Sequence, residues 1–117
     1  MTAVAAAPAR AAFRECSTTG LKINAQAEAL IKVNAVAATV SLLIGGIAAV
    51  LVLLTRWQVV HLLSAEWFYR VLTVHGMSML IFFIIFFEMA VLYFASAVLL
   101  NSRVATPRLA WGSFWLM

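Results

Sequence analysis

The chain has 117 residues, of which 66% are hydrophobic and only 10% are charged, and its mean hydropathy is +1.06. Soluble domains are usually near half apolar and about a quarter charged, so this composition excludes an ordinary soluble domain and indicates a membrane protein. The formal net charge of +4 is concentrated at the ends of the apolar runs. Membrane orientation therefore explains the basic residues better than nucleic-acid binding does.

Residues 1–23 are predicted to be a loose tail. This segment is rich in alanine, with Pro8 and Gly20 as helix breakers. Its apolar stretch is too short for a secretory signal. The single cysteine, Cys16, cannot form a disulfide within the chain and is interpreted as an ordinary thiol of the tail.

Residues 24–56 are predicted to form the first transmembrane helix with a short lead-in. Asn24 is a candidate N-cap, and Glu28 and Lys32 have the spacing of a helical ion pair. The run from residue 33 to residue 55 carries no charge and is long enough to span a bilayer. Its many small residues favour close packing against another helix, with Gly45 and Gly46 marking the place of closest approach. A flat macrocycle at these glycines is the less favoured alternative.

Residues 57–70 are predicted to be a loop outside the membrane, and residues 71–100 the second transmembrane helix. The loop is short, so the two helices should be antiparallel neighbours. Its aromatic residues are typical of a membrane interface. Residues 101–117 are predicted to form an inner turn and the start of a third helix at Pro107. The fold class is therefore an all-α membrane protein, with two transmembrane helices and the start of a third as the N-terminal part of a multi-helix bundle.

The basic residues predict that both termini are cytoplasmic. Two of them, Arg56 and Arg70, lie beside or within the connecting loop, and the other six lie on the side of the termini. The positive-inside rule places the richer side in the cytoplasm.

His75 and Glu88 are unusual in an apolar helix, because polar groups at membrane depth are costly and are functional candidates by default. For His75, the residues alone leave three possibilities: a structural hydrogen bond, a proton path, or a ligand to haem iron. Gly76 would let a bulky group approach the backbone, and Met79 lies on the same helical face. Glu88 either takes part in proton relay or forms a hydrogen bond that locks helices together, and the second is favoured.

Two segments of the chain carry a resemblance to a known family, "LTVHGMSMLIFF" at residues 72–83 and "PRLAWGSFW" at residues 107–115. Together they resemble subunit I of the haem-copper oxygen reductases. That family has a His-Gly or His-Ala pair near the outer end of its second helix and an aromatic start to its third. The matching positions are His75–Gly76, Met79, Phe82–Phe83, Pro107–Arg108 and Ser113–Phe114–Trp115.

The resemblance implies that His75 is an axial ligand of a low-spin haem, and that Gly76 and Met79 adjoin it. The second axial histidine would come from a later helix. Copper and a high-spin haem are expected only in the remainder of the subunit or in a partner chain. Arg56 and Arg70 are candidates for pairing with the haem propionates by charge-assisted hydrogen bonds, although arginines that only set the topology are the favoured reading.

The chain also departs from the mitochondrial-like branch of that family. The turn "NSRVATPRL" has no aspartate, so the proton path that begins there in that branch is not assumed. The sequence is more like the B family of bacterial and archaeal oxidases. Glu88 matches no motif of the family, and no family role is assigned to it.

The predicted function is therefore part of a terminal respiratory oxidase, which reduces oxygen to water and translocates protons. The expected partners are other oxidase helices or subunits, the lipid bilayer, and cytochrome c, another electron protein or quinol as donor. The expected location is a bacterial or archaeal plasma membrane. Because the later histidines are absent, the chain is expected to be a leading fragment or one piece of a split subunit, inactive alone. The alternatives are a non-catalytic two-helix accessory subunit and a small dimeric haem b electron carrier.

Overall fold

A helical hairpin dominates the computed structural model, which describes residues 13–117. In chain order, the strands β1 (Phe13–Glu15) and β2 (Lys22–Asn24) precede the helices α1 (Ala25–Arg56), α2 (Ala65–Leu99) and α3 (Pro107–Leu116). Both α1 and α2 are long and apolar enough to cross a bilayer. The structure thus confirms the predicted helical architecture and adds a small two-stranded sheet to it.

Helix α1 begins where the sequence predicts. The side-chain oxygen of Asn24 accepts hydrogen bonds from the backbone N–H groups of Gln26, at 3.0 Å, and Ala27, at 3.3 Å. These bonds satisfy two donors that the first turn of a helix otherwise leaves free. The predicted pair also forms, with Lys32 Nζ 2.6 Å from Glu28 Oε1.

Most side chains on the buried face of α1 are small, and Leu30 and Asn34 are the largest that are fully buried. The small side chains recur at the spacing of a helix seam, so the two backbones can approach closely without large gaps. Asn34 is the buried amide side chain on this face. Its Nδ2 donates a hydrogen bond to the Leu30 carbonyl oxygen of the same helix, at 2.8 Å. The buried residues of α1 are Ala27, Leu30, Asn34, Ala38, Gly45, Ala48 and Thr55.

Helix α2 starts at Ala65, earlier than the position predicted from hydropathy, Val71. Its first turns carry an exposed ion pair between Arg70 and Glu66, with Nη2 and Oε1 2.6 Å apart. Hydropathy marks the edge of the apolar region and not the end of the helix, so it predicts a loop for residues 65–70, which are helical. The helix is not uniform, since the segments Met77–Phe82 and Ala95–Leu99 are π-helical.

Residues 13–24 form an antiparallel β-hairpin instead of the loose tail that the composition suggests, and residues 1–12 lie outside the described part. β1 pairs with β2, with Phe13 opposite Asn24. Gly20 adopts a φ of 66° in the turn, which glycine reaches without steric cost. The guanidinium carbon of Arg103 lies 5.0 Å from the centroid of the Phe13 ring. The β-hairpin therefore lies at the same end of the helix pair as the segment that follows α2.

Helix α3 begins at the predicted Pro107 and packs beside the hairpin of α1 and α2. The rings of Phe114 and Phe86 are 5.7 Å apart between centroids. This contact places α3 against one side of α2 at the end where α1 begins.

The thiol in the β-hairpin should ionise near neutral pH. The Thr19 side chain, followed by the backbone N–H groups of Thr18 and Thr19, hydrogen-bonds Cys16 and lowers the pKa of its thiol to about 7. Only the thiolate reacts fast, so the rate of maleimide labelling should rise with pH through about 7. We expect Thr19→Val to raise the pKa and slow labelling at neutral pH. Thr18→Val keeps its backbone N–H and should change little; equal pH profiles for both variants would contradict this assignment.

Candidate functional site

The imidazole of His75 crosses from α2 to the backbone of α1. His75 is half-buried, and its Nδ1 lies 2.9 Å from the carbonyl oxygen of Gly45. A carbonyl oxygen can only accept, so Nδ1 carries the proton and donates it to this bond. In the neutral ring, the lone pair is therefore on Nε2. Within residues 13–117, Nε2 makes no hydrogen bond, which leaves this nitrogen available to a ligand.

Gly45 is the point of closest contact between α1 and the π-helical turn of α2. A Cβ atom at this position would lie 2.6 Å from Met79 Cγ, 2.7 Å from Met79 Sδ and 3.3 Å from Ser78 Cβ. Only glycine fits there without a shift of its neighbours. The predicted close approach at Gly45 is confirmed, but the same prediction for Gly46 is wrong, because a Cβ there meets no described atom within 4 Å.

Met79 and Gly76, predicted from the family resemblance to adjoin a cofactor, have different surroundings. The Met79 side chain packs on Gly45, so its described contact is with α1. At Gly76, a Cβ atom would meet no described atom within 4 Å. The packing of residues 13–117 therefore does not require a glycine at position 76, and a Cβ atom there would point into open space.

Arg56 and Arg70 do not meet His75 in this structure. Arg70 pairs with Glu66, and its guanidinium carbon lies 5.1 Å from the centroid of the Trp67 ring. Arg56 lies over Phe68, with its guanidinium carbon 5.5 Å from that ring centroid. Both arginines are exposed at the end of the hairpin where the connecting loop lies.

The chain offers one metal-binding nitrogen at this site and not a cluster of donors. Among the described residues, no group of three or more histidine, cysteine, aspartate or glutamate side chains could hold a metal ion. His61, the other histidine, is exposed in the loop between α1 and α2. A bare metal ion would need several ligands, whereas haem iron needs from a protein only its axial ligands. The donor set fits haem better than an isolated metal ion.

The partner of His75 could not be found from sequence. Small residues on α1 predict close approach, but they do not tell which carbonyl lies level with the imidazole. The π-helical turn next to His75 was also missed, because no residue in "MSMLIF" distinguishes it from an α-helical segment. Such turns are frequent at functional sites.

These features define an integral membrane protein whose paired helices present one imidazole nitrogen. The sequence model of the family described as Cytochrome C and Quinol oxidase polypeptide I matches residues 29–117. The chain therefore belongs to this family of oxidase subunits, which act in respiratory electron transport and assemble with other oxidase subunits. The match includes both Gly45 and His75. Searches of curated proteins and of solved structures give no match.

The contact at Gly45 predicts a sharp difference between two adjacent glycines. Gly45→Ala should destabilise the helix pair by about 1–3 kcal/mol, because the new methyl group overpacks the contact with Met79. Gly46→Ala is the matched control and should have little effect, since its Cβ meets open space. Thermal denaturation of the purified membrane protein measures the difference.

A second substitution tests the cause. Met79→Ala removes the atoms that a Cβ at position 45 would strike, so it should recover part of the stability lost in Gly45→Ala. If Gly45→Ala and Gly46→Ala were equally stable, the close contact would be refuted.

Proposed function

We propose that this chain is part of a terminal oxidase that reduces oxygen to water and translocates protons, and that His75 is an axial ligand of its low-spin haem through Nε2. The observation that carries the proposal is the 2.9 Å hydrogen bond between His75 Nδ1 and the Gly45 carbonyl. Metal-binding histidines almost always donate their second ring N–H in this way, which fixes the tautomer and the ring orientation.

The surroundings of His75 fit a haem. The imidazole is half-buried, Nε2 has no hydrogen-bond partner among residues 13–117, and the space at Gly76 is open. A glycine next to the ligand would let the edge of a macrocycle approach the backbone. When bound, haem supplies a one-electron centre, which the side chains of this chain do not provide.

The protein's own contribution is to hold the imidazole still. The Gly45 carbonyl directs the ring and increases the basicity of Nε2. Met79 and Ser78, packed on Gly45, keep α1 and α2 at a fixed distance. A ligand that does not move between oxidation states suits electron transfer. We expect the second axial histidine to come from another oxidase helix or subunit, with copper and a high-spin haem held there as well.

The arginines remain proposed partners of the haem propionates. Arg70 would have to exchange Glu66 for a propionate, and Arg56 would have to leave Phe68. Their exposure makes such exchanges inexpensive, because exposed ion pairs contribute little to stability.

We also propose that both termini are cytoplasmic, in a bacterial or archaeal plasma membrane. The contact between Phe13 and Arg103 supports a common side for the two ends. The basic residues are more numerous on that side, as the positive-inside rule requires of the cytoplasmic side. Membership in the oxidase family favours this function over an accessory subunit or a dimeric haem b carrier. The B-family assignment and the identity of the electron donor remain predictions.

Replacing the proposed ligand should remove one haem signal. In the purified complex that contains this chain, His75→Ala should abolish the low-spin haem band in reduced-minus-oxidised spectra, since no other described side chain can replace the imidazole. His61→Ala is the matched control and should keep the band, because His61 is exposed in the loop. An unchanged low-spin band in His75→Ala would refute the ligand role.

The orientation can be tested with the native thiol. Cys16 is the single cysteine of the chain and lies in the β-hairpin, whose Phe13 contacts Arg103 in the segment after α2. A membrane-impermeant maleimide should label it in inside-out vesicles and not in right-side-out vesicles. The reverse pattern would place the termini outside. A variant with a cysteine in the loop, Gln58→Cys in a Cys16→Ser background, should show the opposite sidedness.

A further inference from the structure

Two contacts between α1 and α2 meet on a single residue, Gly45. Its carbonyl oxygen lies 2.9 Å from Nδ1 of His75. A Cβ atom on the same residue would lie 2.6 Å from Met79 Cγ and 2.7 Å from Met79 Sδ. The Met79 side chain therefore fills the space that a side chain at position 45 would need. The separation of the two helices at this level controls both the hydrogen bond and the packing contact.

The length of the hydrogen bond follows this separation closely. The acceptor is a backbone carbonyl of α1, which moves only when its helix moves. The donor is an imidazole of α2, and a bond from its Nε2 to haem iron would hold the ring from the other side. A displacement of α1 away from α2 at Gly45 would therefore lengthen the bond. Met79 resists displacement in the opposite direction, because it lies against the Gly45 backbone.

We propose that the contact between Met79 and Gly45 sets the reduction potential of the low-spin haem, because it sets the length of the hydrogen bond from His75 Nδ1 to the Gly45 carbonyl. The proposal rests on the ligand role of His75 proposed above. Met79 is then a positioning residue. It acts on the haem through Gly45 and the imidazole, and the contact that the structure shows for its side chain is sufficient for this role.

The sign of the effect follows from the charge of the iron. A short hydrogen bond at Nδ1 makes Nε2 a stronger electron donor. A stronger donor stabilises ferric iron, which carries the higher positive charge, more than ferrous iron, so the bond lowers the potential. Hydrogen bonds around the ligands are one of the means by which proteins tune haem potentials. Lengthening this bond should therefore raise the potential.

A general loosening of the helix pair would act in the opposite direction. Water that entered between the helices would solvate the more highly charged ferric state and lower the potential. The sign of the measured shift therefore distinguishes a longer hydrogen bond from a site that has merely become wetter.

The test is a redox titration of the purified oxidase complex, followed at the low-spin haem band. Gly45→Ala places a methyl group against Met79, and we expect a higher midpoint potential, with a several-fold larger ratio of reduced to oxidised haem at the wild-type midpoint. Gly46→Ala is the matched control and should keep the wild-type potential, since a Cβ there meets no described atom within 4 Å. Gly45→Ala/Met79→Ala should return close to the wild-type value, because the shorter side chain makes room for the methyl group. An unchanged or lower potential in Gly45→Ala, or no recovery in the double variant, would overturn the proposal.

A second series keeps the proposal testable if Gly45→Ala does not assemble. In a Met79→Ala background, Gly45→Ala should leave the potential unchanged. Gly45→Val should raise it, because the added methyl groups meet Ser78, whose Cβ would lie 3.3 Å from a Cβ at position 45. Equal potentials throughout this series would refute the proposal. Failure of the ligand role itself gives a different result, since the low-spin band would then persist in His75→Ala whatever the potentials of the Gly45 variants.

Discussion

The hydrogen bond between the His75 imidazole and the Gly45 carbonyl joins the two long helices at the place where function is proposed. It is one of few polar contacts between two apolar surfaces. In a bilayer, a buried N–H group cannot form a hydrogen bond to water instead. The bond satisfies the N–H group, fixes the tautomer and leaves one nitrogen free. The ligand role of His75, the orientation of its ring and the level at which α1 meets α2 all depend on this one contact.

The acceptor of that bond is a backbone carbonyl oxygen, which any residue at position 45 would supply. The residue type there instead controls how closely the α1 backbone approaches α2. Every amino acid has a carbonyl group, but only glycine allows this one to approach while Met79 lies above it. The requirement is steric: the helices must be close before the imidazole can reach across. Glycine provides this closeness in membrane helices because no side chain separates the backbones.

Much of this architecture could be predicted from sequence, because long apolar runs and capping residues act locally. Asn24 and Pro107 begin their helices as expected, and Gly45 packs closely. The β-hairpin was missed because two short strands leave almost no periodic pattern. The start of α2 at Ala65 was missed because hydropathy reports membrane depth, not helix ends. The pairing of His75 with Gly45 joins residues far apart in sequence, and only packing determines it.

The π-helical segment after His75 has a geometric consequence for the relative positions of His75 and Glu88 on α2. A π-helical turn holds about one residue more than an α-helical turn. The angle around the axis between a residue before this turn and a residue after it therefore differs by about 100° from the angle in a uniform α-helix of the same sequence. A helical wheel drawn through Met77–Phe82 therefore assigns the wrong azimuth to Glu88 relative to His75. Deleting a single residue within this segment would allow an ordinary α-helical turn to form there, while the two halves of the helix keep their orientation relative to each other.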